Sequence, residues 1–303
     1  MTAKTQTLVI TGSSGFVGQK LANFANSLGF KVIGIDSKND QNNNWESHGL
    51  DISKNNFSNL IPKDSVVIHL ASLSTDSACR TDPELAINVN YIGTFNTINS
   101  ANKAGAKHFI FASSEWVYPE RMVSTEQSES DLLSLEDLNS FYAITKLVGE
   151  SLVRTESKAP FTNLRFGIVY GPRQTPGSSL EALALKVYDN ESITVGSELT
   201  ARRFIYVDDL IDGILKCAIL NANEIPNKAV NLTGNKLVSL REVVEVTNKL
   251  LGKNSQVLTE SKSPSIRNPL NTYAKSLFKW DPITPLDTGI QYCLAEMTRY
   301  RKE

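Results

Sequence analysis

The stretch that decides the fold is Thr7-Leu8-Val9-Ile10-Thr11-Gly12-Ser13-Ser14-Gly15-Phe16-Val17-Gly18, an apolar run followed by a glycine-rich loop and an amphipathic pattern. This order predicts a strand, a tight turn and a helix. Gly12 permits the turn, Gly15 lets the backbone approach a pyrophosphate, and Gly18 allows helix and strand to pack closely. The N–H groups at the start of the helix then face the phosphates. The residues predicted to bind a dinucleotide here are Gly12, Ser14, Gly15, Phe16, Val17 and Gly18.

An acidic residue stands where such a site needs one. The apolar run Lys31-Val32-Ile33-Gly34-Ile35 predicts a second buried strand, and it ends at Asp36. A carboxylate at this point accepts hydrogen bonds from the ribose hydroxyls of the adenosine and repels a 2′-phosphate. Asp36 therefore favours NAD over NADP. Lys38 is close enough in sequence to accommodate a phosphate, which leaves NADP as an alternative.

A tyrosine and a lysine form the second decisive feature, in the run Ser140-Phe141-Tyr142-Ala143-Ile144-Thr145-Lys146. Residues four apart on a helix share one face, so the ammonium of Lys146 can lower the pKa of the Tyr142 phenol and make the phenolate available as a base. Alone, such a pair is usually an exposed helical contact. Downstream of a dinucleotide-binding loop, it indicates redox chemistry.

Strand-like and helix-like patterns alternate through the first half of the chain. The predicted strands lie near residues 7–11, 31–35, 66–70, 108–112 and 161–166, and the predicted helices near residues 15–28, 83–104 and 141–156. This alternation predicts an α/β protein with a Rossmann-type, doubly wound parallel sheet. Shorter elements separated by turns follow, and they predict a smaller C-terminal substrate-binding lobe. The predicted domains are residues 1–167 for NAD binding, with residues 204–222 returning to that domain, and residues 168–303 for the smaller lobe.

The composition excludes several classes of protein. The chain has 303 residues and a formal net charge of −1, which gives no electrostatic footprint for nucleic acid. Its apolar runs are far too short to span a membrane, and Met1-Thr2-Ala3-Lys4 shows no signal-peptide core, so we predict a cytoplasmic protein. The three cysteines are widely separated and lack metal-ligand spacing, which predicts reduced thiols with neither a metal nor a disulfide framework.

Further motifs follow in order along the chain. They are Asp51-Ile52, His69-Leu70-Ala71-Ser72, Asn90 with Gly93-Thr94, Ser113 to Tyr118, Arg165 to Arg173, and Arg202 to Asp209. With the glycine loop and the Tyr142/Lys146 pair, they resemble the motifs of the extended short-chain dehydrogenases/reductases. That group contains nucleotide-sugar epimerases, dehydratases, decarboxylases and reductases. The resemblance implies NAD as the cofactor, a nucleotide-diphosphate sugar as the small-molecule substrate, and a homodimer in which the helices near 83–104 and 141–156 pair.

The resemblance also assigns the remaining cofactor residues. Two residues would flank the adenine, three would line the cofactor near its pyrophosphate, and an asparagine would support the active site next to it. In that order these residues are Asp51 and Ile52, then Leu70, Ala71 and Ser72, and finally Asn90.

By the same resemblance, the catalytic residues follow the strand near 108–112. Ser114 would share a hydrogen bond with the substrate oxygen while Tyr142 removes its proton and hydride passes to the nicotinamide. Lys146 would also hydrogen-bond the nicotinamide ribose. Glu115 would be an acid/base group or, alternatively, a carboxylate that is paired or solvated near the mouth of the site.

The residue after Glu115 separates the activities of the group. Sugar dehydratases and decarboxylases of this group carry a glutamate there, and fucose-synthase-like epimerase/reductases align a cysteine, whereas this chain has Trp116. An indole cannot act as a base. The resemblance then favours oxidation and re-reduction of a single carbinol, as in UDP-galactose-type 4-epimerases. One-way reduction of a keto-sugar is the alternative.

For the substrate, Arg202 matches an arginine that contacts the nucleotide diphosphate in the group, and a guanidinium fork suits two phosphate oxygens. Arg173 is a second candidate for an anion contact. Ile168 replaces an asparagine that helps to hold the diphosphate, so either a backbone N–H substitutes or the substrate is a non-nucleotide ketone. A non-catalytic dinucleotide sensor is the remote alternative, since a sensor has no chemical need for Ser114, Tyr142 and Lys146.

Overall fold

The computed structural model describes residues 6–38, 43–54 and 56–299. Residues 1–4, on which the prediction of no signal-peptide core rests, lie outside these ranges. The chain forms two compact units, each assembled from separate segments. The first contains Met1–Val117, Leu132–Arg165 and Ile214–Val230, and the second contains Tyr118–Asp131, Phe166–Gly213 and Asn231–Glu303.

The elements follow one another as short strands and helices. The strands are β1 (Thr7–Thr11), β2 (Lys31–Asp36), β3 (Glu46–Gly49), β4 (Val66–His69), β5 (His108–Ser114), β6 (Phe161–Phe166), β7 (Val169–Tyr170), β8 (Ile193–Val195), β9 (Ala201–Arg202), β10 (Ile205–Tyr206), β11 (Lys228–Leu232), β12 (Val238–Ser239) and β13 (Val257–Thr259). The helices are α1 (Phe16–Ser27), α2 (Asp76–Thr81), α3 (Pro83–Ile87), α4 (Thr94–Ala104), α5 (Phe141–Glu156), α6 (Ser179–Asp189), α7 (Val207–Ala218), α8 (Leu240–Leu251), α9 (Thr272–Phe278) and α10 (Leu286–Arg299).

A seven-stranded sheet in the order β11-β6-β5-β4-β1-β2-β3 forms the centre of the first unit. The pairs β1–β2, β2–β3, β1–β4 and β4–β5 are parallel. Leu8, Val9 and Ile10 of β1 have no exposed surface, as expected for a strand covered on both faces. The strand order reverses between β1 and β4, and ligands bind at the carboxyl ends of strands at such a point. The predicted Rossmann-type sheet is confirmed.

Two strands of the sheet were not predicted. β3 has the polar sequence Glu46-Ser47-His48-Gly49 and lies at the edge, so it carries no apolar pattern. The return of the chain to the sheet also needs correction, because the sequence places it at residues 204–222. In the structure β10 pairs with β7 in the second unit, and β11 is the strand that joins the sheet next to β6. Residues 214–230 do belong to the first unit.

The predicted helix near 83–104 is one helical run with an irregular middle. Between α3 and α4, Asn88–Gly93 form a π-helical segment, in which each hydrogen bond spans five residues. Such segments often lie at functional sites, because the wider turn redirects a side chain. Here the side chain that it turns inward belongs to Asn90, which is buried.

The second unit contains only small sheets, the pairs β7–β10, β9–β12 and β8–β13, together with the longer helices α6, α8 and α10. Its assignment to substrate binding stays a prediction. Within the described ranges no helix is long and apolar enough to cross a membrane. The three cysteines are free thiols, all buried, and the described residues hold no cluster of three or more metal-ligating side chains.

Candidate active site

The loop between β1 and α1 is closed in a way that only glycines allow. Gly12 has a positive φ of 73°, and a Cβ on it would lie 2.6 Å from the Ala71 nitrogen. A Cβ on Gly18 would lie 2.0 Å from the Gly12 carbonyl oxygen. The N-cap of α1, Gly15, makes no side-chain cap, so no N-cap side chain stands between the first N–H groups of the helix and a ligand. This cradle suits a pyrophosphate.

Asp36 lies at the end of β2, next to this loop. One carboxylate oxygen accepts a hydrogen bond from the Ser14 backbone N–H at 3.0 Å, and the other accepts one from the Lys38 N–H at 3.0 Å. The Ser14 hydroxyl in turn donates to the Lys38 carbonyl at 3.3 Å. The carboxylate that is predicted to bind the ribose is therefore hydrogen-bonded to the loop that is predicted to bind the pyrophosphate.

The other predicted cofactor residues lie along neighbouring parts of the same sheet edge. The segment after β4 is tied to β1, because the Leu70 N–H donates to the Thr11 carbonyl at 3.1 Å. The Asp51 carboxylate accepts hydrogen bonds from the N–H and hydroxyl of Ser53 at 2.9 and 2.7 Å, and these bonds hold its pKa below the ordinary value. Ile52 is buried.

The predicted catalytic residues come together at the carboxyl end of β5. Ser114 is the last residue of β5, and its hydroxyl is close enough to the phenol of Tyr142, in the first turn of α5, to lower the pKa of that phenol. The start of α5 is firmly fixed: the Ser140 hydroxyl accepts from the Ala143 N–H at 3.1 Å and donates to the Asp76 carboxylate at 2.7 Å. Capping of this kind sets where the helix begins. The position of Tyr142 follows from it.

Burial shifts the pKa values of Tyr142 and Lys146 in opposite directions. It raises the pKa of Tyr142 to about 12, although interaction with the Ser114 hydroxyl acts in the other direction. It lowers the pKa of Lys146 to about 8. The Lys146 Nζ donates to the Ala112 carbonyl at 2.8 Å and lies 5.7 Å from the centre of the Tyr142 ring. Desolvation is thus the largest influence on the pKa of Tyr142, and a lowering of that pKa by Lys146 stays a prediction.

Asn90 supports the site through both ends of its amide. The oxygen accepts hydrogen bonds from the Leu73 N–H at 2.8 Å and the Ser72 hydroxyl at 3.1 Å. The nitrogen donates to the Thr145 hydroxyl on α5 at 3.0 Å. Asn90 therefore joins the loop after β4 to the catalytic helix. These contacts favour the supporting role over direct contact with the cofactor.

The two residues after Ser114 are Glu115, which is buried, and Trp116, which contacts Tyr142. The Glu115 side chain has no exposed surface, so the solvated alternative predicted for it is wrong, and its acid/base role stays a prediction. The ring of Trp116 lies edge-on to the Tyr142 ring, with 6.1 Å between their centres and an angle of 76°. An indole that cannot transfer protons therefore stands beside the tyrosine.

Two arginines converge within the second unit. An Nη atom of Arg202 lies 3.3 Å from an oxygen of the Glu120 carboxylate, and an Nη atom of Arg267 lies 3.1 Å from the same oxygen. Both arginine side chains are largely buried. Two guanidinium groups directed at one oxygen form a site for an anion. Arg267 was not among the predicted site residues, because no local sequence pattern marks it and its partners lie far away in the chain.

Arg173 is used differently. Its Nε donates to the fully buried Glu181 carboxylate at 2.9 Å, and an Nη donates to the Val169 carbonyl at 3.1 Å. The same carboxylate accepts hydrogen bonds from the N–H groups of Gly171 and Gly177 at 2.9 and 2.6 Å. Arg173 thus braces the loop between β7 and α6. Its role as a substrate contact stays a prediction.

A glycine cradle, an acidic residue after the second strand and a Ser-Tyr-Lys group on one Rossmann-type sheet define a short-chain dehydrogenase/reductase. Residues 8–233 match the model of the NAD-dependent epimerase/dehydratase family. The chain belongs to that family, and it is accordingly an enzyme that uses NAD. The predicted resemblance is confirmed.

Individual relatives match more than nine tenths of the chain. A UDP-glucuronate 4-epimerase of Thermodesulfobacterium geofontis is 25% identical over 311 residues, which cover 93% of each chain. A UDP-glucuronic acid decarboxylase 1 of Xenopus tropicalis is 28% identical over 307 residues, which cover 93% of this chain and 70% of that one. Among solved structures, the UDP-glucuronic acid 4-epimerase of Bacillus cereus in complex with UDP-glucuronic acid and NAD superposes with a TM-score of 0.84. It is 24% identical, and the match covers 97% of this chain and all of that one (100%).

The described residues fit NAD. The absence of Cβ atoms at Gly12 and Gly18 lets the loop close beneath a pyrophosphate, and the uncapped start of α1 offers N–H groups to it. Asp36 is placed to accept hydrogen bonds from ribose hydroxyls. Tyr142 and Ser114 lie on the same unit, at the end of a strand two positions along the sheet from β1.

Proposed function

We propose that the protein is a nucleotide-sugar 4-epimerase that oxidises one carbinol of the sugar and then reduces the resulting ketone on the opposite face. The observation that carries this proposal is the Ser114–Tyr142–Lys146 group with Trp116 packed edge-on to Tyr142. A hydroxyl proton can be removed and returned there. A second acid or base is not offered at position 116.

Each residue of the group has one task. Tyr142 takes the proton of the sugar hydroxyl, and Ser114 hydrogen-bonds the same oxygen, which fixes its position. NAD held by the glycine loop and Asp36 would supply the hydride acceptor for the carbinol and the hydride donor for the ketone. Proton and hydride both go back to the substrate, so the reaction has no net redox change. Lys146 is charged below about pH 8, and its ammonium favours the phenolate.

For the substrate we infer a diphosphate held by Arg202 and Arg267. Their guanidinium groups already share an anionic oxygen of Glu120, and both are largely buried, so a diphosphate would meet two strong donors. This pair supplies anion contacts despite Ile168, and it favours a nucleotide sugar over a non-nucleotide ketone. The names of the relatives make UDP-glucuronate the first candidate.

We also propose a homodimer. Four large apolar side chains on the helical run from α3 to α4 are exposed, an arrangement that indicates an interface. Tyr91 and Phe95 are four residues apart and share one face. The proposed partner is a second copy of the chain. These side chains are Leu85, Ile87, Tyr91 and Phe95.

The catalytic proposal is tested by Tyr142→Phe. This change removes the phenolic oxygen while keeping the ring that packs against Trp116. We expect epimerisation to fall by about 10³-fold or more, because the group that transfers the proton is lost. NAD binding, measured by isothermal titration, should stay within a factor of about three of the wild type. Near-normal turnover in this variant would exclude Tyr142 as the base.

A further inference from the structure

A buried ion pair lies behind the reacting residues and takes no part in the chemistry proposed above. Glu150 on α5 and Arg165 on β6 are 7% and 5% exposed. The Arg165 Nε and Nη2 donate to the two carboxylate oxygens at 2.9 and 2.8 Å. A third donor, the hydroxyl of Ser113, reaches the same carboxylate at 2.5 Å. Buried pairs of this kind contribute little net stability, so a geometric role explains the arrangement better.

The ion pair is in register with the catalytic side chains. Glu150 lies one helical turn after Lys146 and two turns after Tyr142, so the three side chains share one face of α5. The Lys146 ammonium donates to the Ala112 carbonyl, and the Ser113 hydroxyl donates to the Glu150 carboxylate. Two consecutive residues of β5 are thus hydrogen-bonded to α5. The next residue of the strand, Ser114, has its hydroxyl close enough to Tyr142 to lower the phenol pKa.

Helix α5 and strand β5 approach closely at Gly149, which faces the ring of Phe111; a Cβ on it would lie 2.5 Å from the Phe111 Cζ. Packing of a ring against a glycine has little directional preference, whereas hydrogen bonds to a carboxylate are directional. The polar contacts can therefore add precision to the relative position of β5 and α5.

We propose that Ser113, Glu150 and Arg165 are positioning residues that fix the register of β5 against α5, and thereby hold the Ser114 hydroxyl beside the Tyr142 phenol. The rigid guanidinium fork links β6 to α5, and the serine hydroxyl links α5 to β5. The kinetic part of this proposal rests on the proposed epimerase function. The geometric part does not.

Ser113→Ala is the sharpest test, because it removes one hydroxyl and leaves the ion pair intact. We expect kcat to fall about tenfold, since small misplacements of reacting groups are costly. KM for the sugar and the affinity for NAD should stay within about twofold, because neither ligand loses a contact. Glu150→Gln, which keeps the shape of the side chain, should lower kcat by at least as much. Ser113→Thr restores the hydroxyl and should recover most of the rate.

A matched control joins the same two strands at their other end. The Thr162 hydroxyl on β6 lies 2.9 Å from the His108 Nε2 on β5, and both residues are buried. Thr162→Val removes this hydrogen bond with little change of shape. It should lower the thermal midpoint by as much as Ser113→Ala or more, and leave kcat unchanged. A merely structural role for Ser113 would make the two variants behave alike.

A readout that needs no turnover separates this proposal from the proposed function. In protein labelled with ¹³C at the tyrosine Cζ, the Tyr142 signal can be assigned by its loss in Tyr142→Phe. Ser113→Ala should shift that signal, because the Ser114 hydroxyl moves relative to the phenol, and Thr162→Val should not. An unmoved signal in Ser113→Ala overturns the proposal. A moved signal in a protein that epimerises no nucleotide sugar supports it while the proposed function fails.

Discussion

Tyr142 and Lys146 illustrate how burial sets the chemistry of single residues. Desolvation favours the neutral form of both, so it raises the pKa of the phenol to about 12 and lowers that of the ammonium to about 8. Interaction with the Ser114 hydroxyl lowers the pKa of the phenol. In the proposed mechanism, the serine therefore affects proton transfer as well as the position of the substrate oxygen.

Glu120 is a second residue whose substitution has a testable consequence, here for the binding of UDP. Its carboxylate oxygen lies between Arg202 and Arg267, at 3.3 and 3.1 Å, where the proposed diphosphate needs to bind. The side chain is half exposed, so moving it away costs little, but it competes with an incoming anion. Glu120→Gln should tighten the binding of UDP by about threefold to tenfold in isothermal titration, because the competing charge is gone.

The matched variant for this site is Arg202→Ala, which should weaken UDP binding by more than about tenfold. Weaker binding in Glu120→Gln would contradict the competition and assign the carboxylate to orienting the two arginines. If UDP binds neither the wild type nor the variants, the diphosphate site itself is wrong.

Sequence patterns could identify Ser114, Tyr142 and Lys146, because one helix and one strand end hold them at short, readable spacings. They could not identify Arg267, whose contact with Glu120 joins parts of the chain about 150 residues apart. Sequence patterns also could not predict the opposing pKa shifts of Tyr142 and Lys146, since burial is decided by the tertiary fold. Glu115 could be marked as chemically interesting, but not as buried.

At the scale of elements, local signals explain which predictions succeeded. Helix α5 has the predicted bounds, because Ser140 is a strong N-cap and the apolar pattern behind it is regular. The π-helical segment Asn88–Gly93 was missed, because its sequence still has helical periodicity. The edge strand β3 was missed because its residues are polar. An irregular turn and a polar edge leave no trace in apolar patterns.

The α3–α4 face carries the prediction for assembly. Tyr91→Glu combined with Phe95→Glu places two charges on the proposed interface, and burying them without partners is unfavourable. We expect the wild type to sediment as a dimer and the double variant as a monomer. Leu28→Glu is the control, since Leu28 is a similarly exposed apolar residue just after α1. A wild-type monomer would remove the proposed interface.

At the scale of the molecule, two buried histidines link stability to pH. Burial, helped by the charges of Lys146 and Lys107 respectively, lowers the pKa of His69 and His108 to about 3. Each is hydrogen-bonded to threonine hydroxyls. Their pKa in the unfolded chain is about 6.5, so below that pH the unfolded chain binds more protons. The folded state therefore loses stability as the pH falls.

The free energy of unfolding should fall by about 2 kcal/mol per buried histidine between pH 7.5 and pH 5, which is about 1.5 pH units below the unfolded pKa. Urea titrations at the two pH values measure this before most carboxyl groups protonate. Equal stability at both pH values would mean that the two rings are not held neutral.

The doubly wound sheet follows from the alternation of apolar strands and amphipathic helices in the sequence. The sequence also predicted that a later segment returns to the first unit, and residues 214–230 do so, but it did not identify β11 as the strand that pairs next to β6. Partner choice at a sheet edge is a long-range property. The sequence predicted that the second unit is rich in turns, but it did not predict its short paired strands.

Proton NMR with UDP-glucuronate and catalytic NAD in D₂O is the decisive test of the proposed 4-epimerase activity, followed by a panel of UDP-, GDP-, CDP- and dTDP-sugars. We expect a new anomeric signal from the 4-epimer, without net NADH and without deuterium in the sugar ring. Deuterium entering the ring would contradict it and indicate an enolisation step that involves Glu115. No change in any nucleotide sugar would contradict it as well, and would favour reduction of a ketone.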